Sequence, residues 1–146
     1  RGLGDVYKRQ EVNNLSGLGC QMIVSPNTDK DVIKATKDKG MLSFPGVLTP
    51  SDCFSAINSG ADALKIFPAF KLGIDGFKAM KAVLPSDVKT YGVGGINENH
   101  FHEWLSAGLT GFGIGSNLFH PSMNDDDIKT KAKKIVTEYD SWFAQR

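Results

Sequence analysis

A lysine interrupts a short apolar run in the middle of the chain. The segment "ADALKIFPAF" spans residues 61–70, and Lys65 stands in it among residue types that are typical of a buried strand. Pro68 ends the predicted strand because proline has no N–H to donate to a sheet ladder. Burying an ammonium group costs free energy unless the group is paired or neutral. A partly neutral amine attacks carbonyl carbons, so this segment predicts Schiff-base chemistry at Lys65.

The alternation of side chains along the predicted strand indicates where this lysine points. Lys65 and Phe67 share one face, and Leu64 and Ile66 share the other. Leu64 and Ile66 suit a face that packs against helices, so we expect Lys65 to point to the opposite side. The alternative is a lysine at the strand end that pairs with a carboxylate. No carboxylate stands at the C-terminal end of any predicted strand, which disfavours that alternative.

Two glycine-rich segments farther along the chain predict an anion site. "VGGINENH" contains Gly94 and Gly95, and "GIGSNLF" contains Gly115 and Ser116. Each segment lies between a predicted strand and a predicted helix, and backbone amides at helix N-termini bind phosphate. The alternative is that these glycines only permit tight turns. We favour phosphate binding because the two segments follow successive strands.

The elements that must position these residues alternate from residue 18 onward. Predicted strands span residues 20–25, 41–46, 62–67, 88–93 and 111–116, and predicted turn-and-helix segments span 26–40, 49–60, 74–83, 97–108 and 124–146. Short connections between alternating strands and helices predict an α/β fold with parallel strands. Since the strands are short and end in small-residue loops, we expect a (β/α)8 TIM barrel rather than an open sheet.

The length of the chain limits how much of such a barrel it can form. A barrel of this kind typically needs about 200 residues or more, and this chain has 146. We therefore expect about the last five βα units, with about three absent on the N-terminal side. If the final strand is the eighth, the two glycine segments follow strands seven and eight, where barrels commonly bind phosphate. Lys65 then lies on the sixth strand, near the catalytic end.

Composition and charge exclude several classes of function. A net charge of +1 predicts neither nucleic-acid binding nor attachment to a membrane surface. No segment approaches the roughly 20 apolar residues of a membrane helix, and none has the pattern of a signal peptide. Cys20 and Cys53 lie outside any metal or redox motif, so we expect buried, reduced thiols in a cytoplasmic protein.

The first ten residues have an unusual pattern. "RGLGDVYKRQ" begins without Met, mixes charges and has no periodicity. We interpret residues 1–10 as a non-native leader, of the kind that adapter read-through adds to metagenomic gene predictions. Residues 11–146 are then the C-terminal part of a single barrel domain. The alternative is an ordinary exposed loop or helix end.

The carboxylates offer no strong proton shuttle, which cleavage of a carbon–carbon bond through an imine requires. Asp62 and Asp87 lie at strand starts, at the opposite end of a barrel from the predicted chemistry. Asp75 and Glu98 lie at the correct end but are weak candidates. The lysine-rich run 129–134 is interpreted as the solvated face of the last helix.

The three histidines predict no metal centre. His100 and His102 are two residues apart on a predicted helix, so their side chains point to different sides. His120 follows the second glycine segment with no further metal ligand at a recognisable spacing. We expect neither zinc nor another metal.

Taken together, these segments resemble a known family. "GCQMIVSPN", "FPGVLTPSD", "GADALKIFPA", "KAVLPSD", "YGVGGINENH" and "GIGSNLF" are similar to segments of the 2-keto-3-deoxy-6-phosphogluconate and 2-keto-3-deoxy-6-phosphogalactonate aldolases. The resemblance implies a class I lyase that reversibly cleaves a phosphorylated keto-deoxy sugar acid into pyruvate and D-glyceraldehyde 3-phosphate. It implies no cofactor or metal, and a homotrimer for the full-length protein.

The resemblance also implies roles for individual residues. Lys65 would be the Schiff-base lysine, and Phe67 and Pro45 would line the pyruvyl pocket. The substrate phosphate would be held by Gly94, Gly95, Gly115 and Ser116.

Two positions resemble the galactonate branch of the family. That branch has "SPN", here residues 25–27, and a valine at the position of Val93. The gluconate branch tends to have a glycine at the position of Asn27 and a threonine at that of Val93. A threonine could form a hydrogen bond to a substrate hydroxyl, whereas a valine cannot. We therefore expect the phosphogalactonate substrate.

The N-terminal side departs from the family pattern. The first-strand arginine, the second-strand glutamate proton shuttle and the third-strand "GAGTV" segment of the family have no counterpart here. The general base is therefore expected in absent units. We predict that this polypeptide alone, with open strand edges and an exposed apolar interior, is poorly folded and inactive, whereas its complete parent is an aldolase.

Two other interpretations remain open. The chain could be another phosphate-binding barrel enzyme, related to phosphoribosyl isomerases or thiamine phosphate synthases, which share the glycine loops but usually lack the lysine. It could instead be a non-catalytic fragment that binds phosphorylated ligands or assembles with a partner. Imine trapping separates the aldolase from both.

Overall fold

A computed structural model describes residues 8–144 of the chain. The leader interpretation of residues 1–10 falls mostly outside this range. The first helix, α1 (Arg9–Gly17), begins within it. Val12 on α1 is fully buried, so this helix packs against the rest of the chain.

Strands and helices alternate after α1, as the sequence predicts. The strands are β1 (Met22–Val24), β2 (Leu42–Phe44), β3 (Gly46–Val47), β4 (Leu64–Ile66), β5 (Thr90–Val93) and β6 (Gly111–Gly113). The further helices are α2 (Lys30–Asp38), α3 (Pro50–Asn58), α4 (Ala69–Lys81), α5 (Phe101–Ser106) and α6 (Asp125–Ala144). β1 pairs with β2, and β3-β4-β5-β6 form a four-stranded sheet in that order. Every one of these pairs is parallel, which confirms the predicted α/β architecture.

The single strand predicted over residues 41–46 is divided at Pro45. β2, before the proline, pairs with β1, whereas β3, after it, pairs with β4. Proline has no N–H for the ladder and therefore interrupts the strand. Its carbonyl oxygen still accepts a hydrogen bond from the backbone N–H of Lys65 at 2.9 Å. The chain passes from one sheet to the other at this residue.

Two helices differ from their predicted limits. α4 begins at Ala69 and is interrupted at Gly73, whose φ of 67° lies outside the helical region. The segment predicted over 74–83 corresponds to the part of α4 beyond this kink. The helix predicted over 97–108 is a 3₁₀ turn (Glu98–His100) followed by the short α5. Among the described residues, no helix is long and apolar enough to cross a membrane.

The main hydrophobic core lies between the four-stranded sheet and its helices. Leu64 and Ile66 are fully buried in it, together with Phe77 of α4 and Trp104 of α5. Leu64 and Ile66 therefore face the helices, as predicted. From α6, the core receives Ile135, Tyr139 and Trp142 as partly buried side chains.

Both cysteines are free and buried, which confirms that part of the prediction. Cys53 packs in the main core with its Sγ 3.5 Å from the sulfur of Met80. Burial, with a smaller contribution from the charge of Asp52, raises the pKa of the Cys53 thiol to about 11. The thiol is therefore protonated at neutral pH and acts as a packing residue.

Candidate active site

Lys65 lies on the face of β4 opposite the helices. Its side chain is only 6% exposed. It lines a cavity of about 270 Å³ whose walls are mainly apolar; the lining residues are Met22, Val24, Phe44, Lys65, Tyr91, Val93, Phe112 and Gly113. This arrangement confirms the predicted orientation of Lys65. It also places a long basic side chain beside space that a small molecule could occupy.

Phe67 contacts Lys65 from one side. The Nζ atom of Lys65 lies 4.6 Å from the centre of the Phe67 ring, within the range of a cation–π interaction. Phe67 also lines a neighbouring cavity of about 200 Å³, together with Asn27 and Gly46. Pro45 is buried, but it is not among the residues that line either of these two cavities.

The two glycine segments come together at the ends of β5 and β6. They line one cavity of about 430 Å³, with Val93, Gly94, Gly95, Ile96, Asn97, Gly113, Gly115, Ser116 and Asn117 in its wall. Gly94 and Gly95 have φ angles of 91° and 71°, which strongly favour glycine. A Cβ atom on Gly95 would lie 2.6 Å from the Cβ of Phe70, so a side chain there would also clash.

Several backbone amides in this cavity remain available to a ligand. Within residues 8–144, the N–H groups of Gly95, Ile96, Ser116 and Asn117 donate no hydrogen bond to another protein group. The second glycine segment is not followed directly by a helix, contrary to the prediction that each segment lies between a strand and a helix. The segment is a single turn, in which the carbonyl oxygen of Gly115 accepts hydrogen bonds from Leu118 and Phe119.

The lysine cavity and the glycine cavity are adjacent. Val93 at the end of β5 and Gly113 at the end of β6 line both of them. A ligand could therefore place a carbonyl group beside Lys65 and an anionic group among the glycine-loop amides. Lys65 and the predicted glycine-loop residues thus border two adjacent cavities.

Glu98 occupies a position that the sequence did not predict. It is 2% exposed, and its Oε1 atom lies 2.9 Å from the Nζ atoms of both Lys131 and Lys134. Its Oε2 atom accepts a hydrogen bond of 2.9 Å from the Nδ2 of Asn117. Lys129, Lys133 and Lys134 of the run 129–134 are exposed, as the solvated-face interpretation predicts. In addition, two lysines of the run form ion pairs with this buried carboxylate.

These contacts also argue against Glu98 as a proton shuttle. The hydrogen bond from Lys131 is the largest influence on its carboxyl group, and with those from Asn117 and Lys134 it outweighs burial and holds the pKa well below its ordinary value. A carboxylate with such a low proton affinity is a poor base at neutral pH. Asp75, the other weak candidate, is exposed on α4.

The histidines and the remaining acidic residues form no metal site in the part of the chain that the structure describes. The Nε2 of His102 is 2.9 Å from the hydroxyl of Ser141, and the Nδ1 of His120 is 2.8 Å from that of Ser122. At the start of β4, Asp62 forms a salt bridge with Lys37 at 2.7 Å, away from the lysine cavity.

Comparison with known families identifies this arrangement. A family model described as "Aldolase: KDPG and KHG aldolase" matches residues 2–134. The chain belongs to this aldolase family. It is 39% identical over 140 residues to the probable 2-dehydro-3-deoxy-6-phosphogalactonate aldolase of Rhizobium meliloti (strain 1021), covering 96% of this chain and 66% of that protein. It is also 39% identical over 138 residues to the 2-dehydro-3-deoxy-6-phosphogalactonate aldolase of Escherichia coli (strain K12), covering 94% and 67%.

Solved structures of the aldolase family have the same fold. A structure described as native KDPGal matches with a TM-score of 0.94 and 38% identity, covering 98% of this chain and 69% of that one. The KDPG aldolase of Legionella pneumophila, solved with pyruvate captured as a covalent carbinolamine intermediate, matches with a TM-score of 0.71 and 25% identity, covering 92% and 63%. The predicted TIM-barrel type of fold is confirmed for the portion present. The chain spans about two thirds of the length of these relatives.

Some residues that line the lysine cavity were not predicted from the sequence. Met22, Tyr91 and Phe112 close the lysine cavity from other strands. Tyr91 could have been predicted from the sequence, because it lies two residues before Val93 on β5 and therefore shares a face of the strand with it. Glu98 could not, because its lysine partners are more than thirty residues away and no local pattern signals the pairing.

Proposed function

We propose that this chain carries the imine-forming lysine and the phosphate-binding loops of a class I aldolase. Its substrate is 2-dehydro-3-deoxy-6-phosphogalactonate, and the products are pyruvate and D-glyceraldehyde 3-phosphate. The observation that carries the proposal is the buried position of Lys65 in an apolar cavity adjacent to the glycine-loop cavity. Membership of the aldolase family supports it.

The chemistry begins with attack of the neutral Lys65 amine on the C2 carbonyl carbon of the substrate. Loss of water gives a protonated imine. The C3–C4 bond then breaks, its electron pair moves toward the iminium nitrogen, and a base takes the proton of the C4 hydroxyl as the aldehyde leaves. The resulting enamine takes a proton at C3, and water hydrolyses the imine to pyruvate and free lysine. A carbinolamine is the product of amine addition to a carbonyl before water is lost, and the structure of the Legionella relative contains such an intermediate, formed with pyruvate.

The glycine loops provide the anchor for the phosphate of the substrate. The free amides of Gly95, Ile96 and Ser116 supply donors for phosphate oxygens. Gly94 and Gly115 keep side chains out of the same cavity. An anchor at this end leaves the keto acid end of the substrate to reach Lys65, and such positioning accelerates the reaction by reducing the entropy cost.

The galactonate preference rests on Val93 and on the relatives. Val93 borders both cavities and offers no hydrogen bond to a substrate hydroxyl. The relatives named for phosphogalactonate are 39% identical to this chain, whereas the Legionella KDPG aldolase is 25% identical. We expect the phosphogalactonate epimer to inhibit pyruvate trapping at a lower concentration than the phosphogluconate epimer.

Borohydride trapping tests the proposal directly. The chain is incubated with pyruvate and sodium borohydride and is then analysed by mass spectrometry, intact and after digestion. A reduced pyruvyl adduct on Lys65 is expected, because borohydride converts the imine into a stable secondary amine. Lys65→Met removes the nucleophile with little change in length, and we expect it to abolish the adduct.

A matched variant controls for nonspecific modification. Lys71→Met removes an exposed lysine from α4 and should leave the adduct on Lys65 unchanged. No adduct on a chain shown to be folded by circular dichroism, or an equal yield in Lys65→Met, would overturn the assignment. Phosphate binding without an adduct would favour a phosphate-binding barrel of a different activity.

Two further properties stay predictions. The resemblance implies a homotrimer, which size-exclusion chromatography with light scattering tests. The cytoplasmic location rests on the sequence analysis, and fractionation of the source cells tests it.

A further inference from the structure

The buried Glu98 carboxylate joins three segments of the chain that are distant in sequence. Glu98 directly follows Asn97 in the first glycine segment, "VGGINENH", which forms the first loop, and Asn97 lines the glycine cavity. Asn117, in the second loop, donates to one carboxylate oxygen at 2.9 Å. Lys131 and Lys134, on α6, contact the other oxygen at 2.9 Å. The first loop, the second loop and the last helix thus share one acceptor group.

We propose that Glu98 is a positioning residue, which holds the two glycine loops at the separation that a phosphate group requires. This inference rests on the proposed function, because it takes the glycine cavity as the phosphate site. Asn117 is both a wall of that cavity and the hydrogen-bond donor to Glu98. Losing the carboxylate would release the second loop, and the amides of Gly95 and Ser116 would no longer converge on one ligand.

The charges around Glu98 make the proposal testable, because a positioning role and a purely electrostatic role predict opposite changes in anion affinity. One carboxylate and two ammonium groups give the Glu98 cluster a net charge of +1 beside the anion site. Neutralising Glu98 raises that charge to +2, so electrostatics alone would make anion binding tighter. A positioning role predicts weaker binding. The two explanations therefore predict opposite results for Glu98→Gln.

The experiment compares two ligands on the full chain. Inorganic phosphate binding is measured by isothermal titration calorimetry at low ionic strength, and imine formation is measured by borohydride trapping with pyruvate, which has no phosphate. For Glu98→Gln we expect phosphate affinity to fall about tenfold, the effect of losing one charge-assisted hydrogen bond. Pyruvate trapping should stay within about twofold of the unsubstituted chain, because Glu98 lines neither cavity.

Glu103→Gln is the matched control for charge. Glu103 is exposed on α5, and its neutralisation changes the net charge equally without touching the loops. Unchanged or tighter phosphate binding in Glu98→Gln would overturn the positioning role. An equal loss of affinity in Glu103→Gln would overturn it as well.

A second pair of variants applies if Glu98→Gln fails to fold. Lys131→Met removes one contact to Glu98 and leaves Lys134 in place. Lys133→Met removes an equal charge from an exposed position on the same helix. Weaker phosphate binding in Lys131→Met than in Lys133→Met supports the inference, and equal binding overturns it.

The unsubstituted chain separates this inference from the proposed function. Pyruvate trapping without phosphate binding would overturn the positioning role and leave the imine chemistry intact. Phosphate binding without trapping would overturn the aldolase assignment, while the comparison of Glu98→Gln with Glu103→Gln would still decide the role of Glu98.

Discussion

The Nζ atom of Lys65 lies 4.6 Å from the centre of the ring of Phe67, which is two residues farther along the chain, just past the end of β4. A cation–π contact of this kind contributes about 0.5–2 kcal/mol. It also restricts the rotamers of a long side chain in a cavity with space beside it. The contact therefore orients the amine within this cavity.

Replacing this ring should slow imine formation. For Phe67→Leu we expect the rate of borohydride-trapped adduct formation with pyruvate to fall by up to about 100-fold, because the amine loses the contact that orients it toward the carbonyl carbon. Phe54→Leu is the control, because Phe54 is 39% exposed on α3. An unchanged rate in Phe67→Leu would show that the ring does not position the amine.

Imine formation should occur without appreciable turnover. No carboxylate lines the lysine cavity or the glycine cavity in the part of the chain that the structure describes. General acid–base catalysis contributes about 10²- to 10⁴-fold to such reactions. We expect pyruvate trapping at Lys65, but release of pyruvate from the phosphogalactonate substrate at least about 100-fold below that of a complete aldolase. Normal turnover by a folded, monomeric chain would contradict this prediction.

The orientation of Lys65 was predictable because it depends only on local alternation. In a strand with period two, the fully buried Leu64 and Ile66 fix one face and leave Lys65 on the other. The division of a strand at Pro45 depends instead on which neighbours each half pairs with, and these neighbours are distant in sequence. Sequence analysis found the proline but not its consequence.

The pairing of Glu98 with lysines of α6 could not be predicted from the local sequence either. A lysine-rich stretch on an amphipathic helix is usually solvated, and nothing local distinguishes Lys131 from Lys133. Only the packing of α6 against the turn that contains Glu98 brings the partners together. Such a pairing requires knowledge of the tertiary fold, whereas the glycine loops could be recognised from their spacing after predicted strands.

Acid should destabilise the protein through Glu98. Its folded-state pKa is held below the ordinary value of 4.5, so the unfolded chain binds more protons in that range. The contribution of Glu98 to stability is therefore fully present above pH 4.5 and decreases as the pH falls from 4.5 toward the folded-state pKa. Urea unfolding at a series of pH values should show this decrease.

A comparison of two glutamine variants tests whether Glu98 causes the loss of stability in acid. Glu98→Gln should be less stable than the unsubstituted chain at pH 7. The difference should become smaller toward pH 3, because there the Glu98 carboxyl group of the unfolded chain takes up a proton while that of the folded chain stays ionised. Glu103→Gln should keep the full pH dependence. A difference between Glu98→Gln and the unsubstituted chain that is constant from pH 7 to pH 3 would be inconsistent with the Glu98 assignment.

Two glycines of the proposed phosphate site should differ in how their substitution by alanine affects stability. Gly95 has a φ of 71°, and an added Cβ would lie 2.6 Å from the Cβ of Phe70. For Gly95→Ala we expect a loss of about 1–2 kcal/mol in the free energy of unfolding from the backbone conformation alone, and weaker phosphate binding because the loop must move. At Gly115, no atom of the described residues apart from its two chain neighbours lies within 4 Å of an added Cβ, so Gly115→Ala should fold with unchanged stability. Urea unfolding and phosphate calorimetry on both variants check this contrast, and equal stability of the two would contradict the loop geometry.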